Sequence, residues 1–480
     1  MLLVSAEYED KINSPTRRCL AKVKIYFDGP LSTPVIFDND TIVRFVLLEE
    51  ARTESSSPIG RVSSNEFTLD LDNSDRKFTL SDEDGPYFGK LIPNVKVEPF
   101  IGLEIDYPSE GNVEWIPLGV FWTGDWDAPS AGVEASVVCY DRLYQLGERD
   151  LPPFLAMKNT TIFEMATKLF LVLGLSATDF EVDPSLTQRV RIGWFPKGKV
   201  WGALQALAVA GSCTITVNRF GKIVVINNFR LTESVAIFDD DSQIFDMNIP
   251  QEYANIFTST LVRCTLPVLS SGEQILDLDE LIVPAGSTTF RGLGFNRGPV
   301  AALSQLSLRG AKTSSIKKLR YGAWSMDLTI VNSGASETVS LYATGFLITS
   351  NESTVSRTEV PLAALYGFRE QTIEGDLIQD ISAAREYAAL AGYIGKDPKA
   401  YFTANVRGNP AVELLDTVTI RDPSDKFKEE EVVVLRSVLE YDGGLSGTLE
   451  GIRKEALIVK DWVFMCPGMY ALQPRHFELR

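Results

Sequence analysis

The sequence predicts a mainly β fold with inserted small α/β modules (α+β), divided into several domains. Apolar and polar residues alternate over much of the segment from Leu20 to Cys139, as they do in strands with one buried face. Two helix-like segments and a hairpin interrupt this pattern between Thr161 and Val225. The length of 480 residues gives room for about three domains.

Residues 1–150 are predicted to form a first antiparallel barrel or sandwich. In the segment NEFTLDLDN, Phe67, Leu69 and Leu71 point to one side, and polar residues point to the other. Turn sequences such as Gly85-Pro86 separate successive strands. Strands joined in this way pack as a closed barrel or as two sheets, with one face in water.

Residues 151–230 are predicted to form a small α/β module of two helices and a hairpin. Apolar residues at helical spacing predict helices over Thr161–Leu173 and Val200–Ala210. Gly211 ends the second helix, and the next segment predicts a hairpin that turns at Phe220-Gly221. The apolar stripes of both helices are typical of a core and not of a cofactor site.

The remaining sequence is again rich in strands. Residues 231–360 predict a β-rich second or inserted domain that resembles a second sandwich, with IFTSTLVRCTL (Ile256–Leu266) and EQILDLDELIVPAG (Glu273–Gly286) as two of its candidate strands. Within residues 361–455, a helix is predicted over Asp380–Tyr393 and is followed by four short strands. The strong turn Asp442-Gly443-Gly444 separates the last two of them. Residues 456–480 form a C-terminal tail.

Composition excludes several classes of function. A net charge of −18 repels phosphate backbones, so sequence-specific nucleic-acid binding is not expected. His476 is the only histidine, which excludes zinc sites built on two or three imidazoles. A Ser-His-Asp or Cys-His site would have to use this residue, near the end of the chain. The 64 acidic residues leave a carboxylate-only glycosidase open.

The cysteines predict neither disulfides nor a zinc ribbon. The five residues are odd in number, widely spaced and without a C-x-x-C pair, so we expect buried reduced thiols; they are Cys19, Cys139, Cys213, Cys264 and Cys466. The N-terminal segment lacks a signal-peptide pattern, and the apolar run at Leu169 is too short for stable membrane insertion. We therefore expect synthesis and folding in a reducing, cytoplasmic compartment.

No motif predicts a catalytic, cofactor-binding or metal-binding residue, and no cofactor is expected. Asp70, Asp72 and Ser74 have the spacing of a calcium loop, but Asp75 replaces the required glycine and Ser81 the closing glutamate. A solvated turn is the favoured interpretation. Two other acidic clusters fail for the same reasons, namely Asp239–Asp241 and Asp277–Glu280. The glycine-rich segment GLGFNRG lies among strands and lacks the helix that a phosphate loop needs.

An aromatic run offers one candidate binding surface. Four aromatic residues lie close together in the sequence, namely Trp115, Phe121, Trp122 and Trp126. Acidic residues flank them at Asp106, Glu110, Asp125 and Asp127, a mixture that carbohydrate-binding surfaces also use. A barrel core with its edge is the favoured interpretation. Strand alternation predicts that Trp122 and Trp126 share a face that Phe121 does not.

Several segments, taken in order, resemble the hub proteins at the tail tip or baseplate of tailed bacteriophages. They cover somewhat less than half of the chain, and each consists of turn residues and apolar alternation. The segments are Ser63–Ile105 with Trp115–Trp126, VVCYDRLYQL (Val137–Leu146) with its Asp-Arg-Leu, Val200–Val225, Leu365–Ala391, Val406–Pro423 and Tyr441–Lys454. Residues 256–348 and the C-terminal tail fit this family least.

The resemblance implies a homotrimeric hub with two tail-tube-like β-barrels in each chain, the first within residues 1–150. Such a hub joins the sixfold tail tube or distal tail ring to a threefold spike or fibre and forms part of the DNA conduit. The implied partners are a distal tail or tail tube protein, the tape measure protein and a central spike or fibre protein. The implied location is the virion tail tip, after assembly in the host cytoplasm.

Two other functions stay open. The aromatic run and the extra sandwich favour a tail-tip protein that binds a carbohydrate or protein on the host surface. A carboxylate-type wall-degrading enzyme is the other alternative, although such enzymes usually occupy a separate domain. A structural protein without catalysis is the favoured interpretation.

Overall fold

The computed structural model describes residues 1–51, 60–107, 109, 111–128, 132–228, 232–239, 243–249, 256–395, 401–422 and 427–457. Glu110, Asp240, Asp241, Cys466 and His476 lie outside the described residues, as does nearly all of the predicted tail. Most of the described chain is β-strand, which confirms the predicted mainly β class. No helix in these ranges is long and apolar enough to cross a membrane.

The N-terminal barrel follows one short helix. Its strands form an antiparallel sheet in the order β3-β5-β9-β8-β6-β1-β2, with β7 paired to β6. Its core includes the buried rings of Phe45, Phe67 and Phe121. The elements are α1 (Ala6–Ile12), β1 (Cys19–Tyr26), β2 (Val35–Asp38), β3 (Ile42–Glu50), β4 (Arg61–Val62), β5 (Glu66–Asp72), β6 (Lys96–Glu104), β7 (Val113–Pro117), β8 (Phe121–Asp127) and β9 (Glu134–Asp141).

The α/β module contains both predicted helices and the predicted hairpin. Its elements are α2 (Arg142–Gly147), β10 (Met157–Thr161), α3 (Ile162–Val172), β11 (Phe180–Val182), β12 (Arg189–Gly193), α4 (Val200–Gly211), β13 (Cys213–Val217) and β14 (Ile223–Asn227). A capping box between Thr161 and Glu164 starts α3. The short strand β4, which lies between β3 and β5 in the sequence, pairs in parallel with β13 and so adds a strand to the sheet of the module.

The inserted sandwich lies at the end of a long two-stranded arm. The sequence suggested two strands between Ile256 and Gly286, but the structure has one 25-residue strand whose bulges absorb the breaks in alternation. Its far half packs against a second sheet of order β18-β21-β20 around buried Leu328 and Leu341. The elements are β17 (Ser259–Val283), β18 (Gly286–Gly294), β19 (Val300–Arg309), β20 (Ser314–Tyr321), β21 (Ser325–Asn332) and β22 (Glu337–Thr358).

The C-terminal barrel collects strands from both sides of the arm. Two strands precede it, β15 (Ile237–Asp239) and β16 (Ile244–Asn248), and they pair with β25 and β24. The later elements are α5 (Val360–Tyr366), β23 (Glu370–Gly375), α6 (Ile381–Ile394), β24 (Tyr401–Val406), β25 (Thr417–Asp422), β26 (Phe427–Tyr441), β27 (Leu445–Arg453) and α7 (Lys454–Leu457). The predicted helix at residues 380–393 and the four strands after it are confirmed.

One antiparallel pairing unites the two barrels. Residues 436–441 of β26 pair with residues 45–50 of β3, so strands of both barrels form one 14-stranded sheet. The sandwich arm leaves between β16 and β24, and β15 and β16 pair only with strands of the C-terminal barrel. The five-part domain division predicted from the sequence stays a prediction.

Candidate functional site: a shared sheet face and a three-module junction

The united sheet presents one continuous outer face across six strands. Along β3 and β5, the buried residues Phe45, Leu47, Phe67 and Leu69 point into the barrel, so their neighbours point outward. Register then aligns the outward residues of β9, β26, β27 and β24 on the same side. We call this surface the acidic face; its charged residues are Glu50, Glu66, Asp70, Asp72, Glu134, Glu440 and Glu450 with Arg44 and Arg436.

Charges on the acidic face are only partly balanced. Arg44 pairs with Glu440 over 2.6 Å, and Arg436 pairs with Glu450 over 2.5 Å. Asp72 lies directly opposite Glu134 in the β5–β9 ladder, where like charges cost stability. Seven carboxylates against two guanidinium groups leave the face strongly negative. A polymer of phosphates near it would be repelled.

A buried ion pair marks the point where three modules meet. Glu49 is the second-last residue of β3 in the N-terminal barrel, and Arg219 lies in the β13–β14 turn of the α/β module. Arg219 Nη2 donates to Glu49 Oε2 over 2.6 Å and to the carbonyl oxygen of Val412 over 3.3 Å, in the C-terminal segment. Burial raises the pKa of Glu49 to about 7, although the charge of Arg219 acts in the opposite direction.

A polar cavity of about 340 Å³ lies beside this pair. Its acidic lining includes Glu49, Asp183, Glu413 and Asp416. Arg219 holds the first of these, and Glu413 and Asp416 form ion pairs with the α-amino group of Met1. Three of these carboxylates therefore have a cationic partner.

The Asp-Arg-Leu sequence after β9 connects the first barrel to the α/β module. Asp141 caps α2 and accepts backbone hydrogen bonds from Asn65, Leu143 and Tyr144. Arg142 forms an ion pair with Asp179 over 2.9 Å, and the Leu143 side chain is buried in the core of the module. Burial raises the pKa of Asp141 to about 7, against the lowering effect of the three backbone N–H groups.

Of the calcium-like residues, Asp70 and Asp72 lie on β5, and Ser74 lies in the exposed turn that follows. Asp72 accepts hydrogen bonds from the backbone N–H and hydroxyl of Ser74, and these bonds lower its pKa. Asp70 instead accepts from the Ser136 hydroxyl. Of the other acidic clusters, Asp239 pairs with Arg421, and Asp277 accepts from Gln274. No group of metal-binding side chains occurs in the described part of the chain.

The aromatic run divides between the core and the outer surface. Phe121 and Trp126 are buried in the barrel, whereas Trp115 lies under Lys22 and Trp122 faces Arg142. The alternation argument was wrong for Trp126, because a bulge between Thr123 and Trp126 moves that side chain to the face of Phe121. The four rings therefore do not form one binding surface.

Sequence reasoning missed the Glu49–Arg219 pair and found only part of the acidic face. The two partners lie 170 residues apart, and neither stands in a motif. The segment NEFTLDLDN did place Glu66, Asp70 and Asp72 on a wet face. The sequence did not predict the register that aligns this strand with β26 and β27.

Comparison with known proteins places this architecture among tail proteins. No protein-family model matches the chain, and no curated protein matches it. The 43 kDa tail protein of prophage MuSo2 from Shewanella oneidensis superposes with a TM-score of 0.52 at 10% identity, over 92% of this chain and 100% of that one. The chain has the fold of a prophage tail protein.

Two further solved structures share this likeness. The tail protein from Neisseria meningitidis MC58 gives a TM-score of 0.51 at 11% identity, over 92% of this chain and 99% of that one. The prophage tail protein gp18 from Listeria monocytogenes EGD-e gives 0.44 at 10% identity, over 90% and 94%. The tail proteins from Shewanella oneidensis and Neisseria meningitidis confirm the expected tail-protein resemblance at the level of the fold.

Proposed function

We propose that the chain is a structural virion protein, the central hub of a phage tail tip or baseplate. Three copies form a ring that joins the sixfold tail tube or distal tail protein to a threefold spike or fibre. The tape measure protein ends at this ring, and the genome passes through it. The protein is assembled in the host cytoplasm and resides in the virion tail. The tail-protein fold supports this assignment.

The observation that carries the proposal is the acidic face. A single sheet runs through both barrels, so six neighbouring strands drawn from the two barrels form one acidic surface in each copy. Asp72 opposite Glu134 costs stability, which is consistent with a requirement for negative charge at this surface. A wall of this kind lets DNA slide past without binding its phosphates.

The first experiment measures the native mass of the purified chain and images the same fraction by negative stain. One chain has a mass of 53.1 kDa. The expected particle has three times this mass and is a ring with a central hole. A monodisperse monomer that does not assemble with tail tube or spike proteins contradicts the hub assignment.

A second experiment tests the conduit surface. The variant Glu66→Lys/Asp70→Lys/Glu440→Lys should retain a short DNA duplex in a gel-shift assay, whereas the wild type should not. Glu7→Lys/Glu9→Lys/Asp10→Lys makes the same charge change on α1, outside both the acidic face and the sandwich, and serves as control. Equal DNA retention by both variants would show that net charge alone decides binding and would remove the argument from the acidic face.

The proposal includes the absence of catalysis. The tail proteins that share this fold support it. A zymogram on peptidoglycan should stay dark for the full chain, and a cleared band would favour the wall-degrading alternative. The division of the aromatic run removes one of the two observations that favoured binding to the host surface. The inserted sandwich is the observation that still favours this alternative.

A further inference from the structure

The inserted sandwich differs in charge from the rest of the chain. Residues 267–350 contain seven Lys and Arg against six Asp and Glu, a net charge of +1, which leaves −19 on the remaining residues. Residues 151–230 are cationic as well, with nine Lys and Arg against four Asp and Glu. The sandwich and the α/β module are therefore the two parts of the chain in which a cationic surface meets little repulsion from neighbouring carboxylates.

The cations of the sandwich concentrate on the outer side of the β18-β21-β20 sheet. Leu319 and Leu328 face each other across the inner side, so Lys318 opposite Thr329 and Arg320 opposite Asp327 point outward. Two bulge residues add to them, Lys317 on β20 and Arg291 on β18. We call this surface the basic face; its residues are Arg291, Lys317, Lys318 and Arg320, all exposed.

The basic face carries four cations and one carboxylate, Asp327, which lies opposite Arg320 in the strand register. None of its four cations forms an ion pair within the described residues. Asp327, the one carboxylate among them, accepts a hydrogen bond from the backbone N–H of Gly292 over 2.9 Å. Threonine hydroxyl groups also lie on this surface, where the Oγ1 atoms of Thr289 and Thr329 are 3.0 Å apart. Such a surface favours carboxylates presented by a protein.

The first barrel carries a complementary element. The loop between β5 and β6 exposes Asp82, Glu83 and Asp84, and these carboxylates form no ion pair in the described part of the chain. Lys77 of the same loop pairs with Asp75 instead. Each copy therefore has an unbalanced anionic loop on one module and an unbalanced cationic sheet on another.

We propose that the basic face of one copy binds the Asp82–Asp84 loop of a second copy. Two different surfaces meet in this contact, so it is heterologous and is able to close a ring when repeated by rotation. The inference rests on the proposed homotrimer and names the charged contact within it. A second copy is the occupant to which the proposal commits, because the chain itself exposes the complementary carboxylates of Asp82, Glu83 and Asp84 without cationic partners among the described residues.

The test is a charge swap on the full chain, followed by sedimentation velocity at low and high NaCl concentration. Lys318→Glu/Arg320→Glu and, separately, Asp82→Lys/Glu83→Lys/Asp84→Lys should each raise the trimer dissociation constant by about tenfold or more at low salt. Combining both sets should restore most of the affinity. Lys158→Glu/Arg189→Glu, which alters two exposed cations of the α/β module, is the matched control and should leave the trimer intact.

The outcomes separate the two proposals. A trimer that neither charge reversal weakens would overturn the contact while leaving the hub assignment in place. A wild-type monomer under every condition, alone and with tube or spike proteins, would overturn both. The milder Lys318→Ala/Arg320→Ala guards against misfolding, and it should weaken the trimer by a smaller factor with an unchanged circular dichroism spectrum. Failure of the combined swap to restore affinity, or wild-type binding of a DNA duplex through Lys318 and Arg320, would also contradict the inference.

Discussion

Arg219 donates to Glu49 over 2.6 Å, and both side chains are almost fully buried although 170 residues separate them in the chain. The same guanidinium group reaches the carbonyl oxygen of Val412, so one side chain connects all three modules at a single point. Its Nε and Nη1 have no hydrogen-bond partner among the described residues, and the group borders the polar cavity. The pair therefore fixes how the modules meet, at the cost of incomplete hydrogen bonding.

Removing Arg219 should destabilise the chain strongly. Arg219→Ala leaves Glu49 buried without its partner, which costs about 3–5 kcal/mol in comparable buried pairs. Urea unfolding followed by circular dichroism measures the loss. Arg263→Ala is the control, because its ion pair with Glu374 is about half exposed and contributes little. Similar losses for both variants would show that the buried pair does not hold the junction.

Glu49 should make stability depend on pH in a defined direction. Its folded-state pKa of about 7 lies above the ordinary value of 4.5, so its stabilising contribution is present below pH 4.5 and is lost as the pH rises through 7. Glu49→Gln stays neutral throughout. The unfolding free energy of this variant, relative to wild type, should therefore increase between pH 5 and pH 8.

The control for this titration is Glu374→Gln, which alters an exposed carboxylate. Its stability relative to wild type should not change over the same pH range. A constant difference between Glu49→Gln and wild type at pH 5 and pH 8 would mean that Glu49 keeps one protonation state across that range.

The Asp442–Gly444 turn gives a test of backbone strain. Gly443 has a φ of 96°, where a β-branched residue is strained, and an added Cβ would meet no atom within 4 Å. Gly443→Val should therefore lower the unfolding free energy by about 1–3 kcal/mol through the backbone alone. Gly444→Ala, next to it and without a left-handed φ, should cost less. Equal melting temperatures for the two variants would contradict the assignment.

The described cysteines should be chemically silent in the folded chain. Cys19, Cys139, Cys213 and Cys264 are buried and free, and burial raises the pKa of Cys213 to about 12. In a Cys466→Ser background, a thiol reagent such as DTNB should react with all four only after unfolding in urea. Rapid reaction of any of them with the native protein would show that its part of the core opens.

The sequence predicted local elements well because their determinants are local. The apolar stripe and the Thr161 cap bound α3 to within a residue of the predicted helix, and Gly443 identified its turn. Trp126 was placed on the wrong face because a bulge in one strand depends on its partner strand. The same holds for β17, whose single long run is fixed by the register of β22.

Alternation and motifs did not predict the parts of the candidate site that depend on pairing between strands far apart in the sequence. Glu66 and Asp70 were placed on a wet face, but alignment with Glu440 requires the β3–β26 register. Arg219 carries no sequence pattern that distinguishes it from a surface arginine in a hairpin turn. Its role follows only from burial against Glu49.

The pairing of β3 with β26 also sets an order of events during synthesis. Residues 45–50 leave the ribosome long before residues 436–441, their partners in the sheet. Until then, one edge of β3 stays open to any other extended segment, including that of a neighbouring nascent chain. The first barrel is therefore completed only after nearly the whole chain has been synthesised. A truncated product that ends in the sandwich arm carries an unpaired strand edge that is prone to aggregation.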